Sequence, residues 1–351
     1  MKSYRNLYPQ IVTWYNLYAA WRQARKGKRG KIPAASFEYH LEDNLLALRV
    51  ELVHKTYQPG AYHSFYIHEP KRRLISAAPF RDRVVHHALC NIIEQIFERS
   101  FIADSYANRV GKGVHRALDR CQQYSRRFGY VLQCDVRQFF PSIDHAILRQ
   151  QLTRKIQDED VLWLFDRILA SGRGVLSEQY EMVWFAGDDL FAVNRPRGLP
   201  IGNLTSQFWA NCYLNPFDHF VKRELKCPAY LRYVDDTLLF ADDKETLHQW
   251  RAAIIDYLST LRLTIHINRA QPRPVSEGIP FLGFVVYPTH RRVKRRKVVH
   301  YRRKLRNLLI QYRAGEVDQQ AVQASIRGWL NHVQYGDTWG LRTAVLQEVI
   351  L

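Results

Sequence analysis

Cysteine is scarce and unpaired in pattern: five residues (Cys90, Cys121, Cys134, Cys212 and Cys227) contain no C-x-x-C spacing. An odd number leaves one over in any pairing scheme, which argues for reduced thiols and against a disulfide-stapled secreted domain. Long apolar runs are missing as well. No stretch approaches the roughly 18 apolar residues of a membrane span, and the N-terminus lacks the apolar core of a secretory signal, so a cytoplasmic protein is expected. Glycine (17) and proline (14) are too few for a disordered chain. Acid is in deficit. Thirty-three Asp and Glu face 52 Lys and Arg, a net charge of +19 spread along the chain. Such a field attracts a polyanion, most commonly nucleic acid, and the absence of a basic amphipathic helix or lipidation signal sets the membrane surface aside.

What is present is enough for a large core. The chain of 351 residues is 46% hydrophobic and 13% aromatic, a size that suggests two or three packed subdomains. Residues 1 to 58 carry helical periodicity interrupted by the basic segment Arg25 to Lys31, which predicts two helices joined by a basic loop. Residues 64 to 76 read as a hairpin about Pro70 and a basic cluster. The apolar positions from Val84 to Phe97 recur at helical spacing, with Asp82 at the start to complement the helix dipole. From Tyr130 a short apolar run ends in Asp135, and a second strand runs from Tyr230 to Phe240, with helical stretches at 144 to 170 and 203 to 225 between them. Helices and strands in alternation imply an α+β sheet domain. After Pro288 the chain becomes strongly basic and mostly helical.

Asp135 and the adjacent Asp235 and Asp236 stand out chemically. Three acids delivered by strands in a basic protein would be costly to bury unless a cation offsets them. Phosphoryl transfer to a 3′-hydroxyl needs two divalent cations about 3.5 to 4 Å apart, held by carboxylates. Mg²⁺ suits such a site. Most Asp-Asp pairs are solvated turns, and Asp188-Asp189 and Asp242-Asp243 read that way. Asp235-Asp236 differs because apolar strands on both sides force it into a tight hairpin.

The motifs Asp135-Val-Arg-Gln-Phe-Phe140, Gly198-Leu-Pro-Ile-Gly-Asn-Leu-Thr-Ser-Gln207, Tyr233-Val234-Asp235-Asp236 and Phe281-Leu-Gly-Phe284 occur in this order. Together they resemble the ordered motifs of reverse transcriptases. The resemblance extends upstream through Ser105-Tyr-Ala-Asn-Arg109 and Lys71-Arg-Arg73-Leu-Ile-Ser, and covers roughly residues 60 to 340. Within that superfamily the chain is most similar to the enzymes of diversity-generating retroelements, which are related to group II intron reverse transcriptases. Most relatives carry Gln-Gly-x-x-x-Ser-Pro before the acidic hairpin, where this chain has Ile201-Gly202-Asn203-Leu204-Thr205-Ser206-Gln207.

The resemblance implies a right-hand polymerase fold: N-terminal helices and fingers over 1–129, a palm of antiparallel sheet plus helices over 130–288, and a short helical thumb over 289–351. It implies an RNA-directed DNA polymerase with Asp135, Asp235 and Asp236 as catalytic acids. Two Mg²⁺ ions, replaceable by Mn²⁺, would be held by Asp135, Asp235, Asp236 and the Val136 carbonyl. Lys71 and Arg73 fall on the hairpin that clamps the incoming triphosphate, Arg109 at a template or phosphate contact, and Phe140 at the ring that excludes ribonucleotides. Ile201, Gly202 and Gln207 fall in the segment that touches the nucleotide. Ile201 replaces the side-chain amide that supports accurate pairing. In the family this accompanies adenine-specific errors in copying a template-repeat RNA, the basis of mutagenic retrohoming. The substrates would be template RNA, cDNA and dNTPs, and a small basic accessory protein encoded nearby is the expected partner.

Overall fold

The helical periodicity of the first 58 residues resolves into four helices, where two are predicted. They are α1 (Tyr8–Ile11), α2 (Trp14–Ala24), α3 (Ile32–Tyr39) and α4 (Leu41–Val53). The basic segment joins α2 to α3, and the second predicted helix is broken at His40, whose ψ of 49° leaves the helical region. A computed structural model describes residues 3–68 and 72–350 of the chain. Strands β1 (His63–Ile67) and β2 (Arg73–Ala77) form the expected antiparallel hairpin. Helix α5 (Phe80–Glu98) follows and buries Val84, Val85, Ala88, Leu89, Ile93 and Phe97. Asp82 lies in its first turn, but its carboxylate does more than face the dipole: it accepts from the Tyr57 hydroxyl at 2.8 Å and the Gly60 amide at 2.8 Å.

Helix α6 (Val114–Ser125) leads to β3 (Tyr130–Asp135), then α7 (Phe139–Ser142), α8 (His145–Thr153), α9 (Glu159–Ser171) and α10 (Leu204–Arg223). The second strand pair is β4 (Ala229–Tyr233) and β5 (Asp236–Ala241), followed by α11 (Lys244–Thr260) and the short β6 (Arg273–Pro274). These strands form one antiparallel sheet in the order β4-β5-β3-β6. Its residues are apolar almost without alternation because both faces are covered. Leu239 and Ala241 join the large core built with the helices, while Leu238 and Phe240 join a second core with α6.

The remaining elements are β7 (Ile279–Phe281), β8 (Phe284–Val286), β9 (Arg291–Val293), α12 (Arg295–Arg313), α13 (Gln319–Val333) and α14 (Trp339–Ile350). Strands β7, β8 and β9 make a three-stranded antiparallel sheet. That sheet crosses the predicted palm–thumb boundary at 288/289, and α6, assigned to the fingers, shares its core with the palm strands. The last helices enclose a small core of their own, in which Tyr301 and Trp329 stack at 4.5 Å. All five cysteines are buried and unbonded to one another. Among the described residues no helix is long and apolar enough to cross a membrane.

Candidate active site

Antiparallel register brings the three acids to one end of the β4-β5-β3-β6 sheet. Tyr233 pairs with Asp236 across the β4–β5 hairpin, so Val234 and Asp235 form a two-residue loop. Asp135, the last residue of β3, is the register partner of Asp236. The loop is strained: Val234 has φ 57°, a left-handed conformation that a β-branched side chain avoids. Such residues cost about 1–3 kcal/mol and persist only where the surroundings impose them.

Electrostatics single out Asp235. Burial, then the neighbouring Asp135 and Asp236 carboxylates, push its pKa up to about 7, against a lowering influence from Arg73. A carboxyl this reluctant to ionise beside two others suits a divalent cation. Among the described residues, no group of three or more Asp, Glu, His or Cys side chains is placed to hold a metal ion.

Asp236 accepts from Gln133 Nε2 at 2.9 Å, and Gln133 in turn accepts from Arg273 at 3.1 Å. On the other side of β3, the Arg137 amide donates to the Thr264 carbonyl at 2.7 Å and the His266 amide to the Asp135 carbonyl at 3.0 Å. These bonds flank Val136, whose own carbonyl therefore points away from residue 265 and toward the β5 side.

Arg73 opens β2, exposed, with its charge felt at Asp235. Arg72 turns away and stacks over the Tyr66 ring at 4.0 Å. Lys71 lies outside the described residues. Phe139 is buried in the main core, while Phe140 is half-buried with its ring centroid 5.4 Å from that of Phe139. Arg109 is not brought to the acids. Its guanidinium donates to Glu98 at 2.8 Å and to the carbonyls of Ile102 and Ser105 at 2.6 and 2.8 Å, within its own loop. Asp188 departs from a solvated turn, since its buried carboxylate pairs with Arg195 and Arg262. Asp243 instead caps α11 through the Thr246 amide.

Ile201 is half-buried, and its carbonyl accepts from the Ser76 amide at 2.8 Å, so its turn runs alongside β2. Gly202 has φ 116°, and a Cβ there would meet Ile75 Cγ2 at 2.9 Å, so both conformation and space require glycine. Gln207 is exposed on the first turn of α10. Sequence reasoning missed Asn203. It precedes α10 and has the composition of a helix cap, yet it caps nothing. Its amide donates to the Ser76 and Pro200 carbonyls at 2.8 and 3.0 Å, and its oxygen accepts from the Ala78 amide at 3.0 Å. The Ile201–Gly202 turn is thereby bolted to the strand that carries Arg73.

Comparison with known proteins bears on the family. The sequence profile of the family described as reverse transcriptase (RNA-dependent DNA polymerase) matches residues 67–286. Protein YkfC of Escherichia coli (strain K12) is 24% identical over 299 residues, 72% of each chain. The group II intron-encoded protein LtrA of Lactococcus lactis subsp. cremoris is 26% identical over 216 residues, 60% of this chain and 33% of its own length. Nuclear intron maturase 2, mitochondrial, of Arabidopsis thaliana is 26% identical over 156 residues, 40% of this chain and 21% of its own. The matched region thus spans a third or less of these two intron-related proteins.

Proposed function

The chain belongs to the reverse transcriptase (RNA-dependent DNA polymerase) family, and from that premise we propose that it copies a template-repeat RNA into adenine-mutagenised cDNA for a diversity-generating retroelement. The observation that carries the polymerase chemistry is the placement of Asp135, Asp235 and Asp236 at one sheet end, with the Asp235 pKa pushed up to about 7 by burial and its neighbours.

Asp135 and Asp235, with the Val136 carbonyl and Asp236 alongside, would hold two Mg²⁺ ions, with Mn²⁺ as a substitute. When bound, such ions lower the pKa of the attacking 3′-hydroxyl and neutralise the triphosphate. The protein's own part is positional. The hairpin keeps the acids in register, Arg73 offers a planar guanidinium to the triphosphate with Lys71 as its neighbour, and Phe140 stands against the sugar. The exposed basic residues of α12, among them Arg295, Lys297, Arg303 and Lys304, suit contact with duplex phosphates. The proposed division is N-terminal helices and fingers over 1–129, palm over 130–288 and thumb over 289–351.

Ile201 supports the diversifying reading. Its aliphatic side chain has no amide to hold the pairing nucleotide, which weakens discrimination where hydrogen bonds would otherwise supply it. Gly202 and Gln207 complete the variant motif. The substrates are template RNA, growing cDNA and dNTPs; the proposed partner is a small basic accessory protein, and the proposed location is the cytoplasm.

Primer extension on an RNA template of mixed sequence with Mg²⁺, followed by sequencing of the products, tests the reading. Wild type should extend and Asp235→Ala should not; equal synthesis by both would sink the polymerase assignment. Errors should concentrate opposite template adenines and decline in Ile201→Gln. Uniform accuracy at all four template bases would leave a polymerase and remove the diversifier.

A further inference from the structure

Beneath the acidic turn lies a buried charge that the mechanism above leaves unused. Arg232, on β4, is fully buried, as is Asp218 on α10. The guanidinium gives Asp218 two hydrogen bonds, Nε to Oδ1 at 2.8 Å and Nη2 to Oδ2 at 2.7 Å. Its remaining nitrogen, Nη1, donates to Asn211 Oδ1 at 3.1 Å and to the Val234 carbonyl at 2.8 Å. Neighbours hold this network still. The Tyr230 hydroxyl donates to Asp218 at 2.7 Å, and the Asn211 amide donates to the Ala107 carbonyl at 2.9 Å. The Arg232 backbone is fixed too, its amide donating to the Asp104 carbonyl at 2.9 Å and its carbonyl accepting from the Tyr106 amide at 3.0 Å.

A buried ion pair is a poor stabiliser, because removing both charges from water offsets most of their attraction, and apolar replacements often serve as well. Its geometry is the better explanation. The atom of the turn that Arg232 reaches is the carbonyl oxygen of Val234, the residue held at φ 57°. That oxygen belongs to the peptide joining Val234 to Asp235. A strained two-residue loop relaxes most simply by rotating this peptide, and rotation would redirect the Asp235 side chain. A charged donor on the oxygen opposes it.

We propose that Arg232, held by Asp218, is a positioning residue for nucleotidyl transfer: it fixes the Val234–Asp235 peptide and so aims the Asp235 carboxylate at the metal site. This rests on the polymerase reading of the preceding section. Lysine could not replace it, since a point charge on a flexible stem cannot serve Asp218 with two bonds and the Val234 carbonyl together.

Two variants separate position from fold. Arg232→Lys keeps the charge opposite Asp218 and loses the planar fork. The triple variant Asp218→Leu/Tyr230→Phe/Arg232→Met replaces the network with apolar groups. The triple variant is expected to melt close to wild type and Arg232→Lys below it, and both to bind a primer–template duplex with unchanged affinity. Amide exchange across residues 233–236, measured without metal, should rise about tenfold, and Mn²⁺ binding followed by electron paramagnetic resonance should weaken about tenfold. The kcat for dNTP incorporation should fall about a hundredfold while the dNTP KM moves less than about threefold. The proposal is overturned if turn exchange, Mn²⁺ affinity and kcat stay within about twofold of wild type in a folded variant. It is equally overturned if activity in both variants falls only in step with melting temperature and duplex affinity. A wild type that extends no primer would instead overturn the polymerase reading, and exchange and Mn²⁺ binding would still decide the role of Arg232.

Discussion

Two antiparallel hairpins bring opposite charges to the same place, and they are built in opposite ways. In β4–β5 nearly every residue is buried, and Leu238, Leu239 and Phe240 are sealed on both sheet faces. In β1–β2 the whole of β1 is exposed, and burial begins only at the far end of β2, at Ser76 and Ala77. The first hairpin holds two of the three mutually repelling acids, with Asp135 beside it on β3, and a strained valine. Each sealed Leu or Phe contributes about 1.5–3 kcal/mol, so three of them outweigh the roughly 1–3 kcal/mol of backbone strain. The second hairpin carries Arg73, and its fixed point is the Ser76–Ile201 and Asn203 junction. Acids that hold cations need a rigid frame. On the proposed reading the second hairpin is a clamp that must admit and release a nucleotide, which needs one anchored end and an open one.

The largest effect should come from removing the charge that the rigid hairpin holds. Asp235→Asn should lower activity more than about a thousandfold. It should also stabilise the metal-free protein, and the sign follows from the raised pKa. Below about pH 4 the carboxyl is protonated in folded and unfolded chains alike. As pH rises toward the folded value of about 7, the unfolded chain releases its proton and the folded one keeps it, so stability is lost across this window. Asparagine has no proton to lose. Thermal melts from pH 4 to 8 without divalent metal should show wild type declining where Asp235→Asn stays level, a gap on the order of a few kcal/mol at pH 8. Parallel curves would mean that Asp235 is not strained by its neighbours. Added Mg²⁺ should then stabilise wild type and leave the variant unmoved.

Arg73→Ala attacks the open hairpin and should act on the nucleotide rather than on the fold. The dNTP KM is expected to rise about ten- to a hundredfold with the melting temperature unchanged, and Arg73→Lys should recover only part of it, because an ammonium cannot match the bidentate fork. A change in kcat with KM constant would remove Arg73 from the clamp. Asn203→Ala should cost less. It deletes three hydrogen bonds at a buried junction and leaves the Ala78 amide and the Ser76 carbonyl to find other partners, about 1–3 kcal/mol of stability. If the junction is the clamp's anchor, hydrogen exchange in β2 should rise while exchange in β4 and β5 stays constant; a uniform rise would show only a weakened core.

The rigid hairpin was legible in the sequence because its chemistry and its pattern coincide: acids flanked by unbroken apolar runs have few other places to go. The α+β class and the β1–β2 hairpin were legible for the same reason. Asn203 was hidden because a polar residue before a helix already has a sufficient local explanation in capping, and only the approach of β2, more than a hundred residues earlier, reveals the other use. Arg232 was hidden among strand residues whose inward face could not be known before α10 supplied Asp218. Arg109 adds a feature no motif shows: its donors rest on Glu98 and on the carbonyls of Ile102 and Ser105. The helical break at His40 is likewise a product of packing.

The smallest effect is expected from Arg72, and it sharpens the comparison most narrowly. Arg72 and Arg73 are adjacent, equally charged and both exposed on the open hairpin. Alternation along the strand places them on opposite sides. Arg72 lies over the Tyr66 ring at 4.0 Å, a surface cation–π contact of about 0.5–1 kcal/mol, while Arg73 reaches the field of Asp235. Arg72→Ala should therefore change the dNTP KM by less than about twofold and the melting temperature by little, with a salt dependence of RNA binding slightly reduced by the lost charge. If nucleotide binding depended only on net positive charge near the cleft, the two substitutions would act alike. A KM shift for Arg72→Ala comparable to that for Arg73→Ala would mean that the clamp reads charge and not direction, and the contrast between an aimed hairpin and a merely basic one would fail.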